Sequence, residues 1–237
     1  MNKSPETRSR LPWFGTNADK REAAISLIGS LFITVVYIQV AQAFDTPTTK
    51  LEFFSLIFSF MCVWLSRTEN IFSMHSGIIS TITMGIFLLR IEVVAQGWLQ
   101  FVYYVPVQLY GWYMWCRGGE NRTELQVSRL NIKNWVATTL FCCGLWALTM
   151  LVFSQIYENP QYLLWDASIV AASIVAQTLM TIKKVESWIF WSLPVNTSAI
   201  VLYLKTEVPA FSFLYAVFLL NAVWGWLQWK KSERLTQ

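Results

Sequence analysis

The sequence predicts an all-α polytopic membrane protein with about eight transmembrane helices. Apolar residues make up 55% of the 237 residues and charged residues only 14%, whereas soluble domains usually contain about 25% charged residues. The charged residues cluster between long apolar runs, and most of the basic ones fall in alternate connections. These observations are typical of a chain that crosses a bilayer several times.

Successive apolar segments justify the helix count. Most approach the ~20 residues that cross ~30 Å of hydrocarbon at a rise of ~1.5 Å per residue, the second and seventh being the shortest. Because no water reaches unpaired amides at that depth, each segment is expected to be helical. The predicted segments are 23–44, 50–66, 70–89, 93–116, 134–157, 162–182, 187–204 and 209–229.

The basic residues predict the orientation of these segments. With the N-terminus inside, all but three of the 18 Lys and Arg residues lie in inner segments, the exceptions being Lys50, Arg90 and Lys205. Such asymmetry is expected when both termini are cytoplasmic. The start of the chain has no cleavable signal pattern, so its first apolar run is expected to remain a membrane span. We therefore predict a multi-pass protein of the bacterial inner (plasma) membrane.

Two three-helix units repeat at a spacing of 114 residues. Gly-Trp-x-x-Trp occurs at 111–115 and again at 225–229, and Glu52 and Asp166 begin corresponding helices. Each unit starts outside and ends inside, so the units are predicted to be parallel bundles joined by one linker helix, with a substrate site at their interface. The predicted divisions are a cytoplasmic N-terminal segment (1–22), an extra N-terminal helix and loop (23–49), repeat one (50–116), a cytoplasmic loop and linker helix (117–161), repeat two (162–230) and a cytoplasmic tail (231–237).

The segment 93–116 presents amides and phenols on one helical face. Gln100, Tyr103, Tyr104 and Gln108 lie within this face. Facing lipid, the two glutamines would lack hydrogen-bond partners, so the face is expected to point toward protein or a wet cavity. Ligand binding is one interpretation, and hydrogen bonding between helices is the other.

The segment 187–204 contains two indoles and a buried amide. Trp188 and Trp191 are neighbours at i and i+3, and Pro194 is expected to kink the helix beside Asn196. An amide at that depth needs partners, which favours a binding role for Asn196. The indoles are compatible with the same site or with an interfacial aromatic belt.

Further candidate binding residues come from three other predicted helices. Asp166 and Gln177 share one face of the segment 162–182. The carboxylate of Asp166 has two interpretations: it is stabilised by the dipole at the helix N-terminus, or it forms an acidic outer opening that attracts cations. The remaining candidates are Asn70, which also fits close helix packing, and Asn221 and Trp224 of the last segment.

Several chemistries are excluded by what the sequence does not contain. No Lys or Arg lies in the middle of a predicted span to hold a phosphate, and no acid lies there to relay protons. The four cysteines and single histidine have no metal-ligand spacing, and the basic residues form no nucleic-acid patch. Nucleotide-binding and hydrolase motifs are also absent. We expect neither an enzyme nor a protein with a metal or other cofactor.

The repeated units, the segment ESWIFWSLPVN (186–196) and the Gln/Tyr-rich helix ending in GWYMW (111–115) resemble the PnuC family of nicotinamide riboside transporters. That family is similar in architecture to the SWEET sugar transporters, with a 3+1+3 helix order. The resemblance implies facilitated diffusion of nicotinamide riboside, an NAD precursor, by alternating access. It also implies a cytoplasmic riboside kinase as a functional partner that traps the product.

The residues suit such a ligand but leave alternatives open. Indole and phenol faces attract a pyridinium cation by ~0.5–2 kcal/mol, and Asn and Gln side chains match its carboxamide. The mononucleotide is expected to be rejected, because its phosphate would be buried without a cation. Thiamine and riboflavin are alternative substrates, and a membrane-embedded enzyme or a non-transporting assembly subunit are alternative functions. The lipid bilayer is the expected surrounding, and we allow for a homo-oligomer.

Overall fold

Eight helices account for most of the computed structural model, which describes residues 11–45, 48–90, 94–156 and 162–235. They are α1 (Asn17–Ala43), α2 (Lys50–Arg67), α3 (Phe72–Arg90), α4 (94–117), α5 (Ile132–Ile156), α6 (Leu163–Thr181), α7 (Ser187–Lys205) and α8 (Pro209–Arg234). The all-helical prediction is confirmed. The helix ends predicted at residues 93 and 157 lie outside the described ranges.

The first and last helices are longer than predicted. α1 begins at Asn17 rather than residue 23, because the Thr16 hydroxyl accepts a hydrogen bond from the Asp19 amide and the Asp19 carboxylate accepts one from the Thr16 amide. α8 continues to Arg234. Six of the described helices, α1, α3, α5, α6, α7 and α8, are long and apolar enough to cross a membrane.

Two helices contain a π-helical segment, Gln100–Tyr104 in α4 and Trp191–Asn196 in α7. Pro106 follows the first segment closely and Pro194 lies within the second. Proline supplies no amide hydrogen, so the regular helical hydrogen-bond pattern is interrupted at these points. The wider turns change the direction of the side chains that follow them.

The helices form two three-helix bundles, α2–α4 and α6–α8, related by approximate two-fold symmetry. The first helix of each bundle contacts the third helix of the other, α2 with α8 and α6 with α4. Trp115 Nε1 donates to the Met180 carbonyl at 3.2 Å, and Trp229 Nε1 donates to the Ser66 carbonyl at 3.0 Å. The two donors are 114 residues apart in the sequence, and so are the two acceptors. Each bundle therefore makes the equivalent contact with the other.

The helices α1 and α5 occupy corresponding places outside the two bundles. α1 packs on α2, the first helix of its bundle, and α5 packs on α6, the first helix of the other. The spacing of 114 residues nearly superimposes their ranges as well. α1 is therefore the counterpart of the linker helix, a relation that the sequence did not indicate.

One end of the protein, which we call the basic end, contains the connections 68–71, 118–131 and 182–186. Trp115, Trp188 and Trp229 form a buried aromatic layer there, with 0%, 2% and 0% of their surfaces exposed. The fully buried Lys183 pairs with Glu69 at 3.0 Å and Glu124 at 3.5 Å. The bundles are thus tightly joined at the basic end.

Candidate functional site

A cavity of about 300 Å³ lies between the two bundles and is lined by all six of their helices. Its volume is at the lower end of the ~300–1,000 Å³ found for small-molecule sites. Eight of the residues predicted from the sequence line it: Gln100, Tyr104, Gln108, Asp166, Gln177, Trp188, Trp191 and Asn196. The two π segments contribute four of these, Gln100 and Tyr104 from α4 and Trp191 and Asn196 from α7.

Some of the lining side chains are held by neighbouring helices. Gln108 Nε2 donates to Thr81 Oγ1 at 3.0 Å, and its amide occupies the space that a side chain at position 77 would need, which explains Gly77. The Tyr104 hydroxyl lies 2.8 Å from Ser173 Oγ in the other bundle. These bonds fix the wall of the cavity and leave the centre open.

Other lining groups have unused hydrogen-bonding capacity. The Trp188 Nε1–H is buried and has no partner in the described part of the chain. The side-chain amides of Gln100, Gln177 and Asn196 also make no hydrogen bond with any described residue. Buried polar groups are normally paired, so several free ones around one cavity indicate a site for a polar ligand.

Four predicted site residues lie outside the cavity and instead bond or pack elsewhere. The Tyr103 hydroxyl donates to the Ile174 carbonyl at 2.7 Å, and Asn221 Nδ2 donates to the Val63 carbonyl at 3.0 Å. Asn70 Nδ2 donates to the Asp19 carbonyl at 3.0 Å and so attaches α1. Trp224 is 56% exposed, with its ring 4.1 Å from the Arg67 guanidinium. Helical periodicity alone does not give the rotation of each helix against its neighbours.

Two tyrosines line the cavity without having been predicted. The rings of Tyr203 and Tyr215 stack with centroids 5.5 Å apart and planes at 15°. Tyr203 lies in the segment LYLKTEV (202–208), which is similar to LLRIEV (88–93) at an offset of about 115 residues. This similarity was the available signal in the sequence, but it does not show which side of the helix faces a ligand.

The cavity differs in charge and closure between its two ends. Asp166 is the only charged residue among the described residues that line it. Asp166 and Tyr203, at the end away from the basic end, are half-buried. Toward the basic end, Met74, Met180 and Trp188 form the floor and belong to the buried aromatic layer and its apolar surroundings. The cavity is therefore closed toward the basic end and acidic at the opposite end.

Known proteins share this sequence pattern and fold. The chain is 27% identical over 208 residues to the nicotinamide riboside transporter PnuC of Escherichia coli (strain K12), which covers 78% of this chain and 86% of that protein. It is 23% identical over 201 residues to PnuC of Haemophilus influenzae, covering 84% and 87% of the two chains. A more limited match, 25% over 128 residues, is to the riboflavin/roseoflavin transporter RibM of Streptomyces davaonensis, with 53% and 59% covered.

A solved structure and a family sequence model also match this chain. The crystal structure of the vitamin B3 transporter PnuC superimposes with a TM-score of 0.71 at 22% identity, covering 93% of this chain and 99% of that chain. The sequence model of the nicotinamide mononucleotide transporter family matches residues 49–231, so α1 lies outside it. The resemblance predicted from the sequence is confirmed: the chain belongs to the nicotinamide mononucleotide transporter family.

Proposed function

We propose that this protein transports nicotinamide riboside by facilitated diffusion. The observation that most supports the proposal is the cavity between the bundles, where unpaired side-chain amides and two tryptophans surround a space suited to a small polar ligand. The names of the E. coli and H. influenzae relatives favour this substrate.

The parts of the riboside have counterparts among the cavity residues. Its flat pyridinium cation would lie against the rings of Trp188 and Trp191, where cation–π attraction contributes ~0.5–2 kcal/mol or more. The Asn196 amide can both donate to and accept from the carboxamide, and Gln100 and Gln177 are available to the ribose hydroxyls.

The same lining argues against the mononucleotide, although the family description names it. No Lys or Arg is among the described residues that line the cavity, and Asp166 adds a negative charge. A phosphate would therefore lose its hydration without gaining a cation, at a cost of several kcal/mol. We propose that the dephosphorylated riboside is the transported form.

We propose that transport occurs by alternating access, which the two-fold arrangement of the bundles supports. The structure has a closed basic end, so release on that side requires separation of the reciprocal Trp115 and Trp229 contacts. The interrupted hydrogen bonding at the two π segments provides places where α4 and α7 can bend.

The direction of transport depends on the orientation, which we propose from the positive-inside rule. The basic end would be cytoplasmic, with both termini on that side of the bacterial inner membrane, and the divisions of the chain would be those predicted from the repeats. A negative interior would favour entry of the cation by ~2.3 kcal/mol per 100 mV. A cytoplasmic riboside kinase would trap the product, and catalysis by this chain itself is not proposed.

Uptake into proteoliposomes tests the proposal. Purified protein should admit radiolabelled nicotinamide riboside down its gradient without sodium or proton gradients, and should exclude the mononucleotide when phosphatases are absent. Uptake that requires an ion gradient would refute the uniport mechanism, and equal uptake of the mononucleotide would refute the substrate assignment.

Riboflavin is the second candidate substrate because the RibM relative transports it by name. Riboflavin is larger than nicotinamide riboside and its ring system is uncharged, so the acidic end of the cavity would not attract it. Competition of riboside uptake by riboflavin and by thiamine separates these substrates: strong competition by either at equal concentration would favour it over nicotinamide riboside.

A further inference from the structure

We propose that Asp166 selects a positively charged ligand, whereas its repeat counterpart Glu52 has a structural role. This inference rests on the proposed function, since it concerns the ligand of the same cavity. The internal repeat provides a comparison within the same chain. Glu52 and Asp166 are 114 residues apart and lie in the first turns of equivalent helices, but their side chains have different surroundings.

Glu52 is fully engaged by protein groups. Its amide donates to Thr49 Oγ1 at 3.1 Å, and its carboxylate accepts from the Thr49 amide at 3.4 Å in a capping box. The hydroxyl of Tyr37, from α1, donates to the same carboxylate at 3.0 Å. Glu52 is only 5% exposed and is not part of the cavity lining. Its role is to begin α2 and to attach α1.

Asp166 has none of these side-chain partners. The residue before α6 is Tyr162, which makes no side-chain cap, and the position in α5 that corresponds to Tyr37 is the exposed Leu151. Within the described part of the chain, the Asp166 carboxylate makes no hydrogen bond or ion pair. It is half-buried and lines the cavity.

The surroundings of Asp166 are suited to a flat cation. Tyr203 and Tyr215 line the same cavity as Asp166, and their rings are stacked. Aromatic faces and a carboxylate both attract positive charge. No described lining residue supplies a compensating Lys or Arg. A bound pyridinium would therefore provide the counter-charge that the described lining residues do not supply.

The test compares two ligands of the same shape that differ in charge. In benzamide riboside a carbon atom replaces the charged ring nitrogen of nicotinamide riboside, while the carboxamide and ribose are kept. Equilibrium binding is measured on purified full-length protein in detergent, where no membrane potential acts on the cation. Wild-type protein should bind nicotinamide riboside on the order of 10-fold more tightly than benzamide riboside.

Variants then assign this preference to one carboxylate. Asp166→Asn should reduce the preference to about twofold or less, mainly by weakening the binding of the cation, and Asp166→Glu should retain most of it. Glu52→Gln is the matched control: it should lower the melting temperature, because the Tyr37 contact is weakened, and leave the preference unchanged.

The possible results have distinct meanings. An unchanged preference in Asp166→Asn, or an equal loss in Glu52→Gln, would overturn the assignment. If Asp166→Asn does not fold, the wild-type comparison remains decisive, because equal affinity for the two ribosides would also overturn it. A wild-type protein that binds neither riboside would instead refute the proposed function.

Discussion

Replacing Gly225 by alanine should disturb the floor of the cavity through one specific collision. A Cβ at position 225 would lie 2.7 Å from three atoms of the Trp188 ring, whereas ordinary van der Waals contacts begin at 3.4 Å. The ring must therefore move by about 0.7 Å from that Cβ. Trp229 packs against Trp188 with ring centroids 5.4 Å apart, so little movement is available except toward the cavity.

The expected cost combines strain and lost binding. Overpacking a well-packed region costs about 1–3 kcal/mol of stability. Displacement of an indole that faces the ligand should weaken riboside binding on the order of tenfold, or about 1.4 kcal/mol. The repeat counterpart Gly111 offers a graded comparison, because its Cβ would meet the flexible Met74 side chain with the closest atom at 3.1 Å. Gly111→Ala should have a smaller effect on both quantities.

Gly144 in α5 is the control, since a Cβ there meets nothing within 4 Å. Gly144→Ala should leave binding unchanged and alter stability by less than about 1 kcal/mol, in the stabilising direction. Melting temperature and equilibrium riboside binding of the three purified variants test the series. If Gly225→Ala bound the riboside as tightly as Gly144→Ala, the placement of the Trp188 ring between Gly225 and the ligand would be wrong.

Three further predictions concern the contacts around the cavity. Lys183→Met should destabilise the protein by about 2–3 kcal/mol in thermal unfolding, because it leaves two acids facing each other without their buried cation; a loss no greater than that of Lys184→Met would refute this. Tyr104→Phe should cost about 1 kcal/mol through loss of its bond to Ser173 in the other bundle, and unchanged stability would contradict it. Asn70→Ala should loosen the attachment of α1, which faster proteolysis near residue 19 would show, and should not weaken riboside binding. Weaker binding without faster proteolysis would show that Asn70 belongs to the binding site.

The fold was largely predictable because it depends on hydrophobicity and repetition. Long apolar segments define the helices regardless of which neighbours they contact. The Gly-Trp-x-x-Trp repeats identified the two bundles because Trp115 and Trp229 make equivalent contacts across the interface. The relation between α1 and α5 was not predictable, since these helices share position but no recognisable motif.

The cavity was only partly predictable because side-chain direction depends on the rotation of each helix. Amides on one helical face appear equivalent in a sequence, yet Gln108 lines the cavity while Asn221 donates to a backbone carbonyl. The adjacent Tyr103 and Tyr104 both bond to α6, but only Tyr104 lines the cavity. Likewise, the bond from Tyr37 of α1 to Glu52 depends on helix packing that the sequence does not show.

Equilibrium binding of radiolabelled nicotinamide riboside to the purified protein tests the central claim most directly. Trp188→Ala and Asn196→Ala should each weaken binding by tenfold or more, on the order of 1.4 kcal/mol or above. Trp224→Ala, whose indole lies outside the cavity, should bind like the wild type. Wild-type affinity in both cavity variants would show that the riboside does not bind between the bundles.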